Sequence, residues 1–117
     1  MTLRITADLL RATYDMLNCC APFDKFNLPD GEDVTFRVIK DRSLYGWYQQ
    51  DGDQHVIAVS SAKCGHLFTV IMTMAHEMVH LIQRESGMDL KRSFHGPAFK
   101  KLADRVCDHL GFDPKMF

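Results

Sequence analysis

The sequence predicts an α+β domain in which a small sheet lies among three helices. Apolar residues recur at helical spacing near the N-terminus and again in two stretches after residue 66, whereas residues 34–60 contain strand-like patterns. With 117 residues, of which 46 % are hydrophobic, the chain can bury one core. We therefore expect residues 1–117 to form a single domain.

The first helix is predicted to begin after Thr6, whose hydroxyl can cap it, and to continue to about Leu17. Its inward face comprises Leu9, Leu10, Thr13, Met16 and Leu17. The following segment, Ala21 to Asp33, contains two prolines and a glycine and is predicted to be a loop.

Three strands are expected next, in a mostly antiparallel sheet. Val34, Phe36 and Val38 alternate with polar residues, as in a half-buried strand. The stretches 44–49 and 55–60 flank an Asp51-Gly52 pair, which suits a type I′ hairpin turn. Residues 56–59 are apolar on both faces, as expected where the following helix covers a sheet edge.

The sequence His76-Glu77-Met78-Val79-His80 lies within a long apolar stretch that begins at Leu67. Residues four apart on a helix project from the same face, so both imidazoles can reach one metal ion. Glu77 is rotated by about 100° around the helix, where it can contact a metal-bound water without being a ligand. This arrangement is typical of zinc peptidases.

The polar face of this helix is narrow and unlike that of a typical surface helix. Such a helix usually carries Lys and Glu pairs on its polar side. Here the stripe comprises Thr69, Thr73, His76, Glu77, His80, Gln83 and Arg84. These residue types favour a cleft, although an ordinary solvent-facing stripe is the alternative.

A catalytic zinc normally has three protein ligands, and His95 is the best third candidate. Gly96 and Pro97 are predicted to begin another helix, because proline is favoured in a first helical turn. Extrapolation places His95 on the inward side of this helix. The inward face comprises Phe99, Leu102, Ala103, Val106 and Leu110. The alternative is a core histidine that binds a backbone carbonyl.

The two segments 76–80 and 95–100 together resemble the SprT-like metallopeptidase family, which includes the Spartan proteases. The resemblance is strong from about Leu67 to Val106 and covers the sheet region only in outline. It implies a minimal zincin-like fold with one Zn²⁺ per chain. The implied ligands are His76, His80 and His95, and the implied catalytic base is Glu77. Many family members also carry a cysteine-paired zinc ribbon or a DNA-binding tail, neither of which occurs in this sequence.

The expected activity is that of a zinc metalloendopeptidase, a hydrolase of polypeptides. Zinc would activate a water molecule, and Glu77 would take its proton and pass it to the leaving amine. A donor to the developing oxyanion is also expected, and the candidates are Tyr45, Tyr48, His55 and Arg92. By analogy with zincins, the strands between residues 44 and 60 would bind the extended substrate.

Two other functions remain open. One is a DNA-associated repair protease of the Spartan type, and the other is a zinc-binding interaction module without peptidase activity. The formal net charge is −1, so a general attraction to nucleic acid is not expected. A local basic cluster comprises Arg84, Lys91, Arg92, Lys100 and Lys101. We therefore expect DNA binding, if any, to be weak.

The remaining features favour a cytoplasmic protein. We expect no membrane-spanning segment, no signal peptide and, as the simplest state, a monomer. Cys19, Cys20, Cys64 and Cys107 lack CxxC spacing and are expected to be buried or half-buried thiols in a reducing compartment. The other histidines, His55, His66 and His109, are predicted to be surface or capping residues.

Overall fold

Helix α1 (Ala7–Asn18) begins where the sequence predicts. The Thr6 Oγ1 accepts a hydrogen bond of 3.1 Å from the backbone N–H of Leu9, which satisfies one of the free donors at the helix start. Leu10, Tyr14 and Leu17 are fully buried, since helical spacing places them on one face. Met16, which the sequence predicted on this inward face, is 46 % exposed. The computed structural model describes residues 4–86 and 95–117. Within the predicted loop it adds two short 3₁₀ turns, Phe23–Lys25 and Gly31–Asp33.

The three strands β1 (Val34–Ile39), β2 (Gly46–Asp51) and β3 (Gln54–Ser60) form one mixed sheet in the order β1-β3-β2. Strands β2 and β3 are antiparallel, whereas β1 and β3 are parallel. The expectation of a mostly antiparallel sheet is therefore wrong. The cause is that β3, after the hairpin, inserts between β2 and β1 and so runs in the direction of β1.

Strand β3 is central rather than at an edge, which corrects the reason given for its apolar character. It has a hydrogen-bonded neighbour on each side, and residues 55–60 are all buried. The hairpin turn also lies one residue later than predicted. Asp51 pairs with Gln54, so Gly52 and Asp53 form the turn, and Gly52 has a φ of 61° that favours glycine.

Strand β1 keeps only part of its predicted alternation. Val34 and Phe36 are buried, but Val38 is 37 % exposed. The Phe36 ring contacts the Tyr14 ring of α1 edge-on, with centroids 5.5 Å apart. Helix α1 therefore covers the start of β1 and leaves its end open.

Helices α2 (Leu67–Ser86) and α3 (Pro97–Leu110) complete the α+β fold. As predicted, α3 begins with proline after the Gly96 N-cap. Its C-cap is Gly111, whose φ of 77° is left-handed. Its predicted inward face is buried or half-buried. Among residues 4–86 and 95–117, no helix combines the length and apolarity needed to cross a bilayer.

A glycine brings α2 close to the sheet. A Cβ atom at Gly46 of β2 would collide with the Ala58 carbonyl oxygen and would lie 3.1 Å from the Thr73 Cγ2 of α2. Only a residue without a side chain fits there. Gly46 therefore sets the spacing between the edge strand β2 and the helix that carries two of the predicted ligands.

Candidate metal centre

The structure brings His76, His80 and His95 together. Their ligand atoms all lie within 4.8 Å of one another. The Nε2 atoms of His80 and His95 are 3.1 Å apart. Two nitrogens that share a tetrahedral zinc at the usual bond length are separated by about 3.3 Å. The three side chains, which come from α2 and from the residue two before α3, are thus close enough to hold a metal ion.

The Phe99 ring contacts the rings of all three histidines. Its ring centroid lies 5.1 Å from that of His76, 4.7 Å from that of His80 and 4.4 Å from that of His95. Phe99 is itself only 5 % exposed. The sequence placed Phe99 on the inward face of α3 but did not reveal this contact, which holds all three imidazoles against the core.

Gln83 orients one ligand. The Gln83 Oε1 lies 3.2 Å from the His80 Nδ1, and because an amide oxygen only accepts, the Nδ1–H donates. In this tautomer the Nε2 carries no proton, which is the form that can bind a metal. Gln83 is 1 % exposed, and its Nε2 has no hydrogen-bond partner among the described residues. The sequence placed Gln83 in the polar stripe without a role, although its i+3 spacing from His80 was a signal.

Burial keeps two of the imidazoles neutral. Desolvation lowers the pKa of His76 to about 4, with a smaller contribution from the neighbouring His80 and His95. A hydrogen bond with the Phe117 backbone acts in the opposite direction on His76. Desolvation likewise lowers the pKa of His80 to about 4, opposed by the bond to Gln83. Neutral imidazoles are the form that binds metals.

Glu77 lies beside the three histidines and is buried. It is 5 % exposed, and desolvation raises its pKa to about 8. The group of ligand atoms that lie close together comprises His76, His80 and His95 and does not include Glu77. A nearby divalent cation would favour its ionised form.

The candidate centre opens into a groove between β2 and α2, with a cavity volume of about 710 Å³. Strand β2 supplies one wall with residues 46–50, including the half-buried Trp47. Helix α2 supplies His76, Glu77, His80, Gln83 and Arg84. Within the described residues β2 is an edge strand, because β3 is its one sheet neighbour.

The candidate oxyanion donors have different surroundings. Tyr48 lines the groove, and its hydroxyl shares a hydrogen bond of 2.6 Å with the His55 Nδ1. Tyr45 is 50 % exposed, and the Lys63 Nζ lies 4.5 Å from its ring centroid. Arg92 lies outside the described residues.

His55 is not the surface histidine that the sequence predicted. It is only 5 % exposed. Its Nε2–H donates to the Glu85 Oε1 at 2.6 Å, while its Nδ1 contacts Tyr48. Burial is tolerated because both ring nitrogens have partners. His66 and His109 are exposed as expected, the first just before α2 and the second in the last turn of α3.

The basic cluster is only partly within the described residues. The Arg84 Nε–H donates to the Gln50 Oε1 at 3.0 Å, and Lys100 and Lys101 are exposed. Lys91 and Arg92 lie outside the described residues.

The four cysteines are free thiols, as the lack of CxxC spacing predicted. Cys64 and Cys107 are buried and Cys20 is half-buried. Cys19 is exposed, which corrects the expectation of burial. It follows the last residue of α1, on the side that faces away from the core.

Comparison of the sequence with models of protein families found no match, and comparison with curated proteins found no significant similarity.

Proposed function

We propose that this protein is a zinc-dependent endopeptidase of the SprT-like, Spartan-related type. One observation carries the proposal. Three histidine side chains converge beside a buried carboxyl group, in a groove of which one wall is an edge strand among the described residues. The order and spacing of these residues along the chain also match the pattern of that family.

The donor set fits zinc better than the hard cations. His76, His80 and His95 offer three nitrogen ligands, whereas Mg²⁺ and Ca²⁺ prefer oxygen. Three protein ligands leave one tetrahedral position open, as in catalytic zinc sites. When bound, zinc supplies Lewis-acid chemistry, acidifying a water molecule and polarising a carbonyl.

The remaining chemistry belongs to residues of the chain. Glu77 accepts the proton of the attacking water and delivers it to the leaving amine, acting first as general base and then as general acid. Gln83 and Phe99 hold His80 in a fixed orientation through a hydrogen bond and ring stacking. The edge of β2 that has no strand neighbour among the described residues binds the substrate backbone by strand addition.

The test is cleavage of an unfolded protein such as casein, with zinc content measured on the same samples. We expect wild-type protein to carry about one zinc per chain and to cleave. Glu77→Gln should keep its zinc and lose at least a factor of about 10² in rate. His95→Ala should lose both.

Two results would contradict the proposal. Cleavage by Glu77→Gln at the wild-type rate would remove Glu77 from the mechanism. Full zinc occupancy with no cleavage of any substrate would favour a zinc-binding interaction module. A parallel series with added DNA identifies a DNA-dependent repair protease, which would cleave only when DNA is present.

A further inference from the structure

The groove at the candidate metal centre continues into a second cavity of about 550 Å³. Gly46, His76 and Glu77 line both cavities. Residues that precede Gly46 in the chain, 43–45, line the second cavity, and residues that follow it line the first. Helix α2 shows the same order, because Thr69 and Met72 line the second cavity, whereas His80, Gln83 and Arg84 line the first. The groove therefore runs parallel to β2 and α2, with the candidate centre between its two halves.

The edge strand determines the direction in which a bound peptide runs. The Tyr45 carbonyl accepts a hydrogen bond of 2.7 Å from the Ser60 N–H, on the side of β3. Because these directions alternate along a strand, Gly46, Tyr48 and Gln50 direct their backbone groups away from β3. Antiparallel addition is the more common and slightly more stable pairing. A substrate that pairs in this way runs from the first cavity towards the second.

The second cavity has mainly apolar walls. They comprise Leu44, Met72, Met116 and Phe117. Thr73 adds its methyl group, because its hydroxyl lies 3.6 Å from the buried Cys64 Sγ and is engaged there. Methionine side chains adapt to differently shaped apolar groups. Lys63, whose ammonium group lies over the Tyr45 ring, places a positive charge at this end of the groove.

We propose that the second cavity is a specificity subsite for the residue immediately after the cleaved bond, and that it selects large apolar side chains such as Leu, Met and Phe. This proposal rests on the proposed peptidase function. A substrate Lys or Arg at that position is disfavoured relative to an apolar residue, because it would lose water against Leu44, Met72 and Phe117 and would lie near the Lys63 charge, although Glu77 also lines this cavity. Since side chains alternate along a strand, the residue two positions earlier faces the first cavity.

The test is digestion of a mixed peptide library by zinc-loaded protein, with new termini identified by mass spectrometry. Glu77→Gln provides the background. We expect Leu, Met and Phe immediately after the cleaved bond to be favoured over Gly and Lys by about tenfold or more, the scale of selection by an apolar pocket. Met72→Lys should abolish this preference. Met72→Gln, which keeps the length of the side chain, should weaken it if the lysine variant does not fold.

Met16→Lys is the matched control, because Met16 is exposed on α1 and lines neither cavity. It should keep the wild-type preference. Cleavage that depends on Glu77 but shows no preference after the bond would overturn the subsite and leave the peptidase intact. A preference for the residue before the bond would overturn the direction of binding. No cleavage dependent on Glu77 would overturn the proposed function and the subsite with it.

Discussion

At the scale of single residues, burial is the largest influence on the ionisation of the candidate centre. It lowers the pKa of His76 and His80 to about 4 and raises that of Glu77 to about 8. Without metal, the neutral forms are favoured at neutral pH. A divalent cation would reverse this balance for Glu77, because it compensates the buried negative charge. The same desolvation thus prepares the ligands and keeps the base uncharged until a cation is present.

A first prediction concerns the pH dependence of metal-free stability. The pKa of Glu77 is raised on folding from 4.5 to about 8. Its ionisation therefore lowers the free energy of unfolding as the pH rises above 4.5, and this loss reaches its full size above pH 8. Glu77→Gln removes this term. In chelator, urea unfolding should show little difference between the two proteins near pH 4.5, and a growing advantage of the variant towards pH 8.

His76 and His80 give a stability that rises with pH instead of falling, and because both proteins contain them, their contribution cancels in the difference between wild type and variant. The pKa values of His76 and His80 are lowered on folding, so their favourable contribution is present above 6.5 and is lost as pH falls through 4. Both proteins share this term. If the difference in the free energy of unfolding between wild type and Glu77→Gln were constant from pH 4.5 to 8, this would contradict a raised pKa at Glu77.

A second prediction concerns Gln83. Replacement by Leu removes the acceptor of the His80 Nδ1–H, and zinc affinity should fall by about 10- to 100-fold, as is typical when a ligand loses its supporting hydrogen bond. Gln83→Glu restores an acceptor and should retain affinity close to wild type. Competition with a chromophoric chelator measures both. Equal affinities for the leucine and glutamate variants would exclude an orienting role.

At the scale of elements, the site depends on how closely α2 approaches β2. The helix positions two ligands and the base, and the strand positions the substrate. Gly46 is where these two elements meet, since a side chain there would press on both Ala58 and Thr73. At the far end of α2, Glu85 contacts His55 of β3, which in turn contacts Tyr48 of β2. Two separated contacts therefore fix the width of the groove.

The third prediction tests this spacing. Gly46→Ala should lower the free energy of unfolding by about 1–3 kcal/mol, the usual cost of overpacking, and should reduce cleavage. Gly65→Ala is the control, because its added methyl would meet nothing within 4 Å. Chemical denaturation and a peptidase assay on both variants provide the measurement. Equal stability of the two variants would show that a methyl group at position 46 is accommodated without strain against β3 and α2.

At the scale of the whole molecule, a metal would connect helix α2 to the segment that leads into the next helix, α3. His76 and His80 belong to α2, whereas His95 lies two residues before the first residue of α3. Residues 87–94 between them lie outside the described part of the structure. A metal ion bound by residues of both segments stabilises only the folded state, in which the three histidines lie together.

The fourth prediction is that zinc raises stability through this link. At a free concentration 100 times the dissociation constant, the gain should be about 2.7 kcal/mol. His95→Ala should abolish most of this gain, because its α2 ligands alone bind weakly. Thermal unfolding with and without zinc tests both proteins. An unchanged gain in His95→Ala would remove His95 from the site.

The fifth prediction concerns DNA. The chain has 14 basic and 15 acidic side chains, and Arg84 is engaged with Gln50. Few phosphate contacts are therefore expected, and the dissociation constant should be no tighter than about 10⁻⁴–10⁻⁶ M at physiological salt. Fluorescence anisotropy at several salt concentrations provides the measurement. Nanomolar affinity, or cleavage only with DNA, would favour the repair-protease alternative.

The sequence predicted best what depends on local spacing. The pairing of His76 with His80 follows from the helical repeat, and the start of α3 follows from Gly96-Pro97, so three convergent histidines could be expected. Strand order could not be predicted, because alternation does not identify the neighbour of a strand. The burial of His55 was missed for a similar reason, since its partner Glu85 lies 30 positions away in the chain.

Trp47 is the single tryptophan of the chain and lies in the wall of the groove. Its indole is half-buried there and is partly in contact with solvent. A peptide that adds to β2 would change the polarity around the indole and thereby its fluorescence emission. The fluorescence of Trp47 therefore reports whether a peptide occupies the groove. Substrate binding to an inactive Glu77→Gln protein can be followed in this way without a label.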